Sequence, residues 1–172
     1  TIYLAVNYKA DAIEDYFGDG TNLSVSLKYI KEEHKLGTAG ALSLLPEVPK
    51  HPFLVINGDI MTEIDPRRLF DFHQHHRCVL TIGAARYRVS VPYGVLNLAG
   101  HYVLDVEEKP RQQFFCNAGI YVLSPETLQF IPADTYFDMT DLMNRTLRAG
   151  LPVGAFPIHE SWIDIGQMAD LE

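Results

Sequence analysis

Apolar residues fall in short runs, and between the runs they recur every third or fourth position. Ile2-Tyr3-Leu4-Ala5-Val6 is the first run and predicts a buried strand over 2–7. Ala12, Ile13, Tyr16 and Phe17 then stand at helical spacing, predicting a helix over 10–17 that Gly18 or Gly20 ends. Val25 to Ile30 alternates as a strand does, and Thr38 is placed to cap a short helix reaching Leu45 ahead of Pro46. Phe53 to Ile56 is apolar at every position, which predicts a strand covered on both faces.

Asp65-Pro66 pairs a helix cap with a proline at the first helical position and predicts a helix to about His76. Cys78 to Tyr87 reads as a strand. Gly94–Leu98 and Tyr102–Glu107, separated by Ala99-Gly100-His101, read as a hairpin. Asn117 to Leu123 predicts a strand, Pro125 to Phe130 a short helix, and Asp138 to Ala149 a longer helix closed by Gly150. Val153 to Ile158 is the last clear strand. Strands alternating with helices predict an α/β fold whose largely parallel sheet is flanked by helices. No repeat, low-complexity tract or linker breaks the pattern, so the chain reads as one domain over 1–172.

Composition narrows the classes. A chain of 172 residues buries roughly 70% of its unfolded surface, enough for a core without staples. With 47% apolar and 21% charged residues the balance is that of an ordinary globular protein. No apolar run reaches the ~20 residues of a membrane span and no signal-peptide pattern opens the chain, so no membrane partner is expected. Cys78 and Cys116 lack the spacing of a disulfide framework or a metal site and are expected as buried apolar residues in a reducing, cytoplasmic compartment. A net charge of −8 argues against nucleic acid as a partner. It leaves anionic substrates open, because a divalent cation inverts the local field of a site.

Five stretches hold candidate chemistry. In Phe53-Leu54-Val55-Ile56-Asn57-Gly58-Asp59 an apolar strand ends in glycine and a carboxylate, at the sheet edge where open α/β folds bind ligands. Ser161-Trp162-Ile163-Asp164-Ile165-Gly166 places a second carboxylate at a strand end ahead of a predicted helix. Two such carboxylates suit one Mg2+, which takes one or two carboxylates together with waters and substrate phosphates. A turn cap at Asp59 and a helix cap at Asp164 are the plainer readings. Val106-Glu107-Glu108-Lys109-Pro110 sets a point charge for a phosphate beside a carboxylate for sugar hydroxyls, or is a solvated turn. Leu36-Gly37-Thr38-Ala39-Gly40 lets backbone N–H groups approach a ligand at a helix start. Cys116-Asn117-Ala118-Gly119-Ile120-Tyr121 offers an amide and a glycine at a strand entry.

Three features read as structural. His73, His75 and His76 end a helix, where a partly cationic imidazole suits the macrodipole. Arg67-Arg68 reads as a solvated face. Tyr136-Phe137 and the phenylalanines at 70, 72, 114 and 115 read as core rather than as a stacking platform.

In this order along the chain, the pieces resemble the nucleoside-diphosphate-sugar pyrophosphorylase family of sugar-1-phosphate nucleotidylyltransferases. The likeness runs from the opening strand to Trp162-Ile163-Asp164-Ile165-Gly166, and five motifs in register carry it. Its wording is nearest to the bacterial branch often fused to CBS domains, through Asn7-Tyr8-Lys9-Ala10-Asp11, Tyr16-Phe17-Gly18-Asp19-Gly20 and Leu36-Gly37-Thr38-Ala39-Gly40-Ala41-Leu42. The resemblance implies a Rossmann-like (GT-A-like) fold, with a mostly parallel central sheet, flanking helices and a small β-hairpin excursion. It implies Asp59 and Asp164 as Mg2+ ligands and, with Lys109, as catalytic residues. Gly37, Thr38 and Ala39, with Asp59, would bind the nucleotide, and Tyr93, Gly94, Glu108, Lys109, Asn117 and Gly119 the sugar phosphate. The implied partners are a nucleoside triphosphate (GTP, UTP or dTTP) and a sugar 1-phosphate, with homo-oligomerisation open. The branch suggests guanylyl transfer onto a hexosamine or mannose phosphate for surface polysaccharide.

The resemblance also implies a glycine-rich loop with a catalytic arginine, then a Pro-Lys-Pro, ahead of residue 1. On that expectation the domain is truncated at its N-terminus, lacks its first, central strand, and is poorly active alone. Two other readings stay open: a non-catalytic nucleotide- or sugar-binding module, and a glycosyltransferase of the same architecture. Such glycosyltransferases usually hold metal through Asp-x-Asp, where this chain has Asn57-Gly58-Asp59.

Overall fold

A computed structural model describes residues 1–166. The helix expected after Gly166 lies outside those residues. β1 (Ile2–Val6) runs parallel to β2 (Leu27–Lys31), and α1 (Ala10–Phe17) connects them. Gly18 closes α1 as predicted, its N–H donating to the Glu14 carbonyl. β2 begins later than Val25 because the Val25 N–H is drawn back to the Gly20 carbonyl in a turn. α2 (Gly37–Gly40) passes into a 3-10 turn, Ala41–Leu44. Leu36, not Thr38, holds the cap position, and Thr38 lies inside the turn.

β3 (Phe53–Ile56), β4 (Ile60–Thr62) and α3 (Pro66–His75) follow. The Asp65 carboxylate accepts the Arg67 N–H, so the predicted cap is made. β5 (Leu80–Ser90), β6 (Gly94–Ala99), β7 (Tyr102–Glu108) and β8 (Arg111–Leu123) come next. A 3-10 turn (Pro125–Phe130), α4 (Met139–Arg148), β9 (Val153–Pro157) and β10 (Trp162–Asp164) complete the order.

The main sheet has four strands in the order β3-β8-β5-β9. β8 is antiparallel to both β3 and β5, and β9 is parallel to β5. Three of the four strands therefore share one direction, as a mostly parallel sheet requires, and β8 alone runs against them. Placing that strand between β3 and β5 makes the pairing mixed. β6 and β7 form the expected hairpin. β4 and β10 pair antiparallel in a small sheet of their own.

Side chains alternate across β8, as strand geometry demands. Tyr121 and Leu123 face a core closed by Met139 and Leu142 of α4, with Ala39 packed in it. Ala118, Ile120 and Val122 face a second core with Leu69 of α3 and Phe156. Two expectations of burial fail. β3 is only half-buried and ends on the exposed Ile56, because among the described residues it is paired on one side only. β1 likewise reaches full burial only at Val6, since β2 is its one neighbour among the described residues.

Candidate active site

The chain leaves β3, turns through Asn57-Gly58 and returns as β4, carrying Asp59 on the turn. Two backbone bonds fix that turn: Asn57 N–H donates to the Gly119 carbonyl at 2.8 Å, and Ile165 N–H donates to the Asp59 carbonyl at 2.9 Å. The pairing of β10 with β4 sets Asp164 opposite Ile60, one residue from Asp59. Gly166 N–H donates to Asp164 Oδ1 at 3.0 Å and orients that carboxylate. A methyl group built on Gly166 would lie 2.8 Å from Asp59 Oδ2 and 3.0 Å from Asp164 Oδ1. Both oxygens thus converge on one point, and a bare glycine keeps the point open.

A cation at such a point is attracted by both carboxylates at once. Among the described residues no three His, Cys, Asp or Glu side chains gather as a self-sufficient metal site. A pair of hard oxygen donors needing further ligands from solvent and substrate fits Mg2+, which binds in that way.

Beside the pair, the Trp162 indole N–H donates to the Ala118 carbonyl at 2.8 Å and ties β10 to β8. Gly119 has φ of +71°, and a Cβ there would lie 2.9 Å from Asn57 Nδ2 and 3.1 Å from Ile60 Cγ1. That close approach explains the glycine without a ligand. Asn117 turns inward: its Nδ2 donates to the Tyr121 hydroxyl at 2.7 Å, and its Oδ1 accepts the Gly119 N–H at 3.1 Å. Its second amide hydrogen remains for other partners. Burial pushes the Tyr121 hydroxyl's pKa up, the Asn117 bond opposing it.

Four of the six residues expected around the sugar, Tyr93, Gly94, Glu108 and Lys109, meet at the base of the hairpin. Gly94 stands opposite Glu108, whose Oε2 lies 3.0 Å from where a Gly94 Cβ would be. Lys109 N–H donates to the Tyr93 carbonyl at 3.2 Å. Lys109 takes φ of 48°, a left-handed conformation uncommon for a lysine and of the kind found at functional turns. All four side chains or backbones are exposed.

The turn over 36–40 is held from two sides. The Glu32 carboxylate accepts the Leu36 N–H at 2.9 Å. Asp138 Oδ1 accepts the Thr38 N–H at 3.0 Å, and the Phe137 carbonyl accepts the N–H groups of Ala39 and Gly40. Those donors are spent within the protein, which departs from the expectation that the glycines free them for a ligand. Among the described residues, Gly37 N–H alone in this turn has no acceptor. Gly37 has φ of +78°, and a Cβ would lie 2.7 Å from Asp138 Oδ1.

The pattern of the Nucleotidyl transferase family matches residues 1–172. The chain belongs to that family. It is 32% identical over 181 residues to a mannose-1-phosphate guanyltransferase of Saccharomyces cerevisiae, covering 98% of this chain and 49% of the relative. A UTP--glucose-1-phosphate uridylyltransferase of Synechocystis is 28% identical over 193 residues, with 98% and 49% covered. The chain therefore spans about half the length of these curated relatives. Among solved structures, HddC from Yersinia pseudotuberculosis superposes with a TM-score of 0.73 at 27% identity, covering 99% of this chain and 75% of that one. The same protein complexed with GMP-PN gives 0.72 at 26% identity, covering 98% of this chain and 74% of that one.

Several residues expected to be structural sit differently in the fold. Phe114 and Phe115, expected in the core, are 49% and 62% exposed on the arm of β8 that pairs with the far end of β5, and Tyr136 is exposed as well. Phe137 is buried as expected. Cys78 is buried, but Cys116 only half so. Arg68 is more than a solvated cation: it pairs with Glu160 and lies over the Phe156 ring. His73 is buried between the hydroxyls of Thr81 and Ser124, at 2.9 and 3.0 Å from its two ring nitrogens. Burial lowers its pKa against the pull of Glu126, so this imidazole is kept neutral and does not serve the helix dipole as a cation. Sequence reading gave no role to Glu32 or Asp138. Asp138 carries no local sign of its bond to Thr38, because the two meet only through the fold.

Proposed function

We propose that the intact protein transfers a nucleoside monophosphate from a nucleoside triphosphate to a sugar 1-phosphate and releases pyrophosphate. The observation that carries the reading is the convergence of Asp59 and Asp164 on one open point at Gly166. In the reaction an oxygen of the sugar phosphate forms a bond to the α-phosphorus, and the bond from that phosphorus to the bridging oxygen of the β-phosphate breaks. A bound Mg2+ supplies charge neutralisation on the phosphates. Asp59 and Asp164 would hold it. Gly37, Thr38 and Ala39 take the nucleotide, and the partnerless Gly37 N–H supports that role. Tyr93, Gly94, Glu108, Asn117 and Gly119 orient the sugar, with the Glu108 carboxylate accepting from its hydroxyls. Lys109 offers its ammonium to the sugar's phosphate. None of these roles needs a covalent intermediate, so the protein's contribution is positioning and electrostatics.

Within the family we infer kinship with the bacterial branch often fused to CBS domains, and a cytoplasmic enzyme. Guanylyl transfer onto a mannose-type phosphate is the first pairing to try, because the yeast relative bears that name and HddC was solved with GMP-PN. The test incubates the intact protein and Mg2+ with GTP, UTP or dTTP and a panel of sugar 1-phosphates, and measures pyrophosphate. Release that requires both a triphosphate and a sugar phosphate is the expected result. No release from any pair would overturn the reading.

A further inference from the structure

We propose that Asp138 is a positioning residue that latches the nucleotide-binding turn in its active shape. The inference rests on the reading of Gly37, Thr38 and Ala39 as nucleotide contacts. Asp138 stands at the head of α4, where it shares a capping box with Asp141, and its side chain also reaches across to that turn, far away in sequence. Oδ1 accepts the Thr38 N–H at 3.0 Å and lies 3.3 Å from the Thr38 hydroxyl. The Thr38 hydroxyl in turn accepts the Met139 N–H at 2.8 Å, so turn and helix cap each other. Oδ2 accepts from the Tyr136 hydroxyl at 2.9 Å, which fixes the carboxylate from its far side.

The latch constrains more than one residue. Gly37 has no room for a Cβ because Asp138 Oδ1 and the Phe137 carbonyl lie 2.7 and 2.8 Å from that position. Gly40 is closed in the same way by the Thr135 carbonyl at 2.7 Å. Glu32 holds the opposite end through the Leu36 N–H. With both ends tied by carboxylates, the Gly37 N–H is, among the described residues, the turn's one donor without an acceptor. A turn fixed before the ligand arrives binds without first losing conformational freedom. Removing Asp138 unties the Thr38 end of the turn and takes away half of the α4 capping box, a loss that Tyr136→Phe does not share. It leaves the hairpin base and the carboxylate pair untouched, so the kinetic loss falls on the nucleotide.

The experiment uses the intact protein, steady-state kinetics on the substrate pair it turns over, and amide hydrogen exchange. Asp138→Ala is predicted to raise KM for the triphosphate about tenfold, the worth of a hydrogen bond to a charged group. KM for the sugar phosphate stays within about twofold of the parent on the same reasoning. Asp138→Asn keeps an oxygen that accepts the Thr38 N–H and is predicted to restore most of the triphosphate affinity. Tyr136→Phe removes only the hydroxyl of an exposed ring and is predicted to raise the triphosphate KM about threefold, which keeps the test intact if the alanine variant does not fold. Exchange of the Thr38 amide is predicted to speed up in Asp138→Ala without any need for turnover. A folded Asp138→Ala protein with the parental triphosphate KM, equal rises for both substrates, or an unchanged Thr38 amide overturns the latch. So does an unaltered Tyr136→Phe if the alanine variant is lost. A parent that releases no pyrophosphate sinks the proposed reaction instead, and the exchange measurement then decides the latch by itself.

Discussion

Asp59 and Asp164 each look, taken singly, like a carboxylate that caps a turn. Asp164 does cap its turn through the Gly166 N–H, but the geometry adds to that reading, because each carboxylate sets an oxygen at the same place, 2.8 and 3.0 Å from a Cβ that Gly166 does not have. Asp59→Asn or Asp164→Asn halves the charge at that point while keeping the side chain's shape. Each is predicted to lower Mg2+-dependent turnover at least about a hundredfold with little change in melting temperature. Near-parental rates in either variant would refute the assignment. His73 yields a second prediction. Its folded pKa is depressed by burial, so the unfolded chain binds a proton that the native state refuses. Stability from this group is fully present above its unfolded value of about 6.5 and is lost as pH falls below it. Urea midpoints taken down through that range should drop, and His73→Gln should flatten the drop; an identical slope in both proteins would count against the buried neutral imidazole. The acidic pair was legible because each aspartate follows an apolar strand with a glycine close by. Asp138 was not, since its partners at Thr38 and Tyr136 include one that only tertiary contact supplies.

At the scale of elements, helices α1, α3 and α4 were readable from spacing and caps, and strand lengths were less so. β8 extends back to Arg111, through Gln112-Gln113-Phe114-Phe115, which carries no alternation for a sequence pattern to register. What makes that stretch a strand is its partner, Arg86 to Ser90 of β5. β3 misled in the other direction, since an uninterrupted apolar run is, among the described residues, a strand paired on one side only. Gly119 joins these elements to the site, because the turn after β3 lies against it. Gly119→Ala combines a positive φ with contacts at 2.9 and 3.1 Å on Asn57 and Ile60. It is predicted to cost about 2 kcal/mol or more of unfolding free energy and to lower turnover by displacing the Asp59 turn. Unchanged stability and rate would show that the turn relaxes freely.

Across the whole molecule, three sites are built by different parts of the fold: the carboxylate pair by β4 and β10, the hairpin base by β6 and β7, and the latched turn by α2 and α4. Sequence order alone suggested all three, whereas their supports came from pairings that no local pattern encodes. Because different elements carry them, losses for the two substrates should be separable too. Lys109→Ala is predicted to raise KM for the sugar phosphate about tenfold or more while sparing the triphosphate. Equal losses would mark Lys109 as a structural turn residue.

The most direct test of the account is Mn2+ binding to the intact protein, followed by electron paramagnetic resonance with nucleotide present. One ion per chain is predicted for the parent, and either Asp59→Asn or Asp164→Asn should weaken it at least about tenfold. Parental Mn2+ affinity in either single variant would contradict a shared metal site and remove the basis of the proposed reaction.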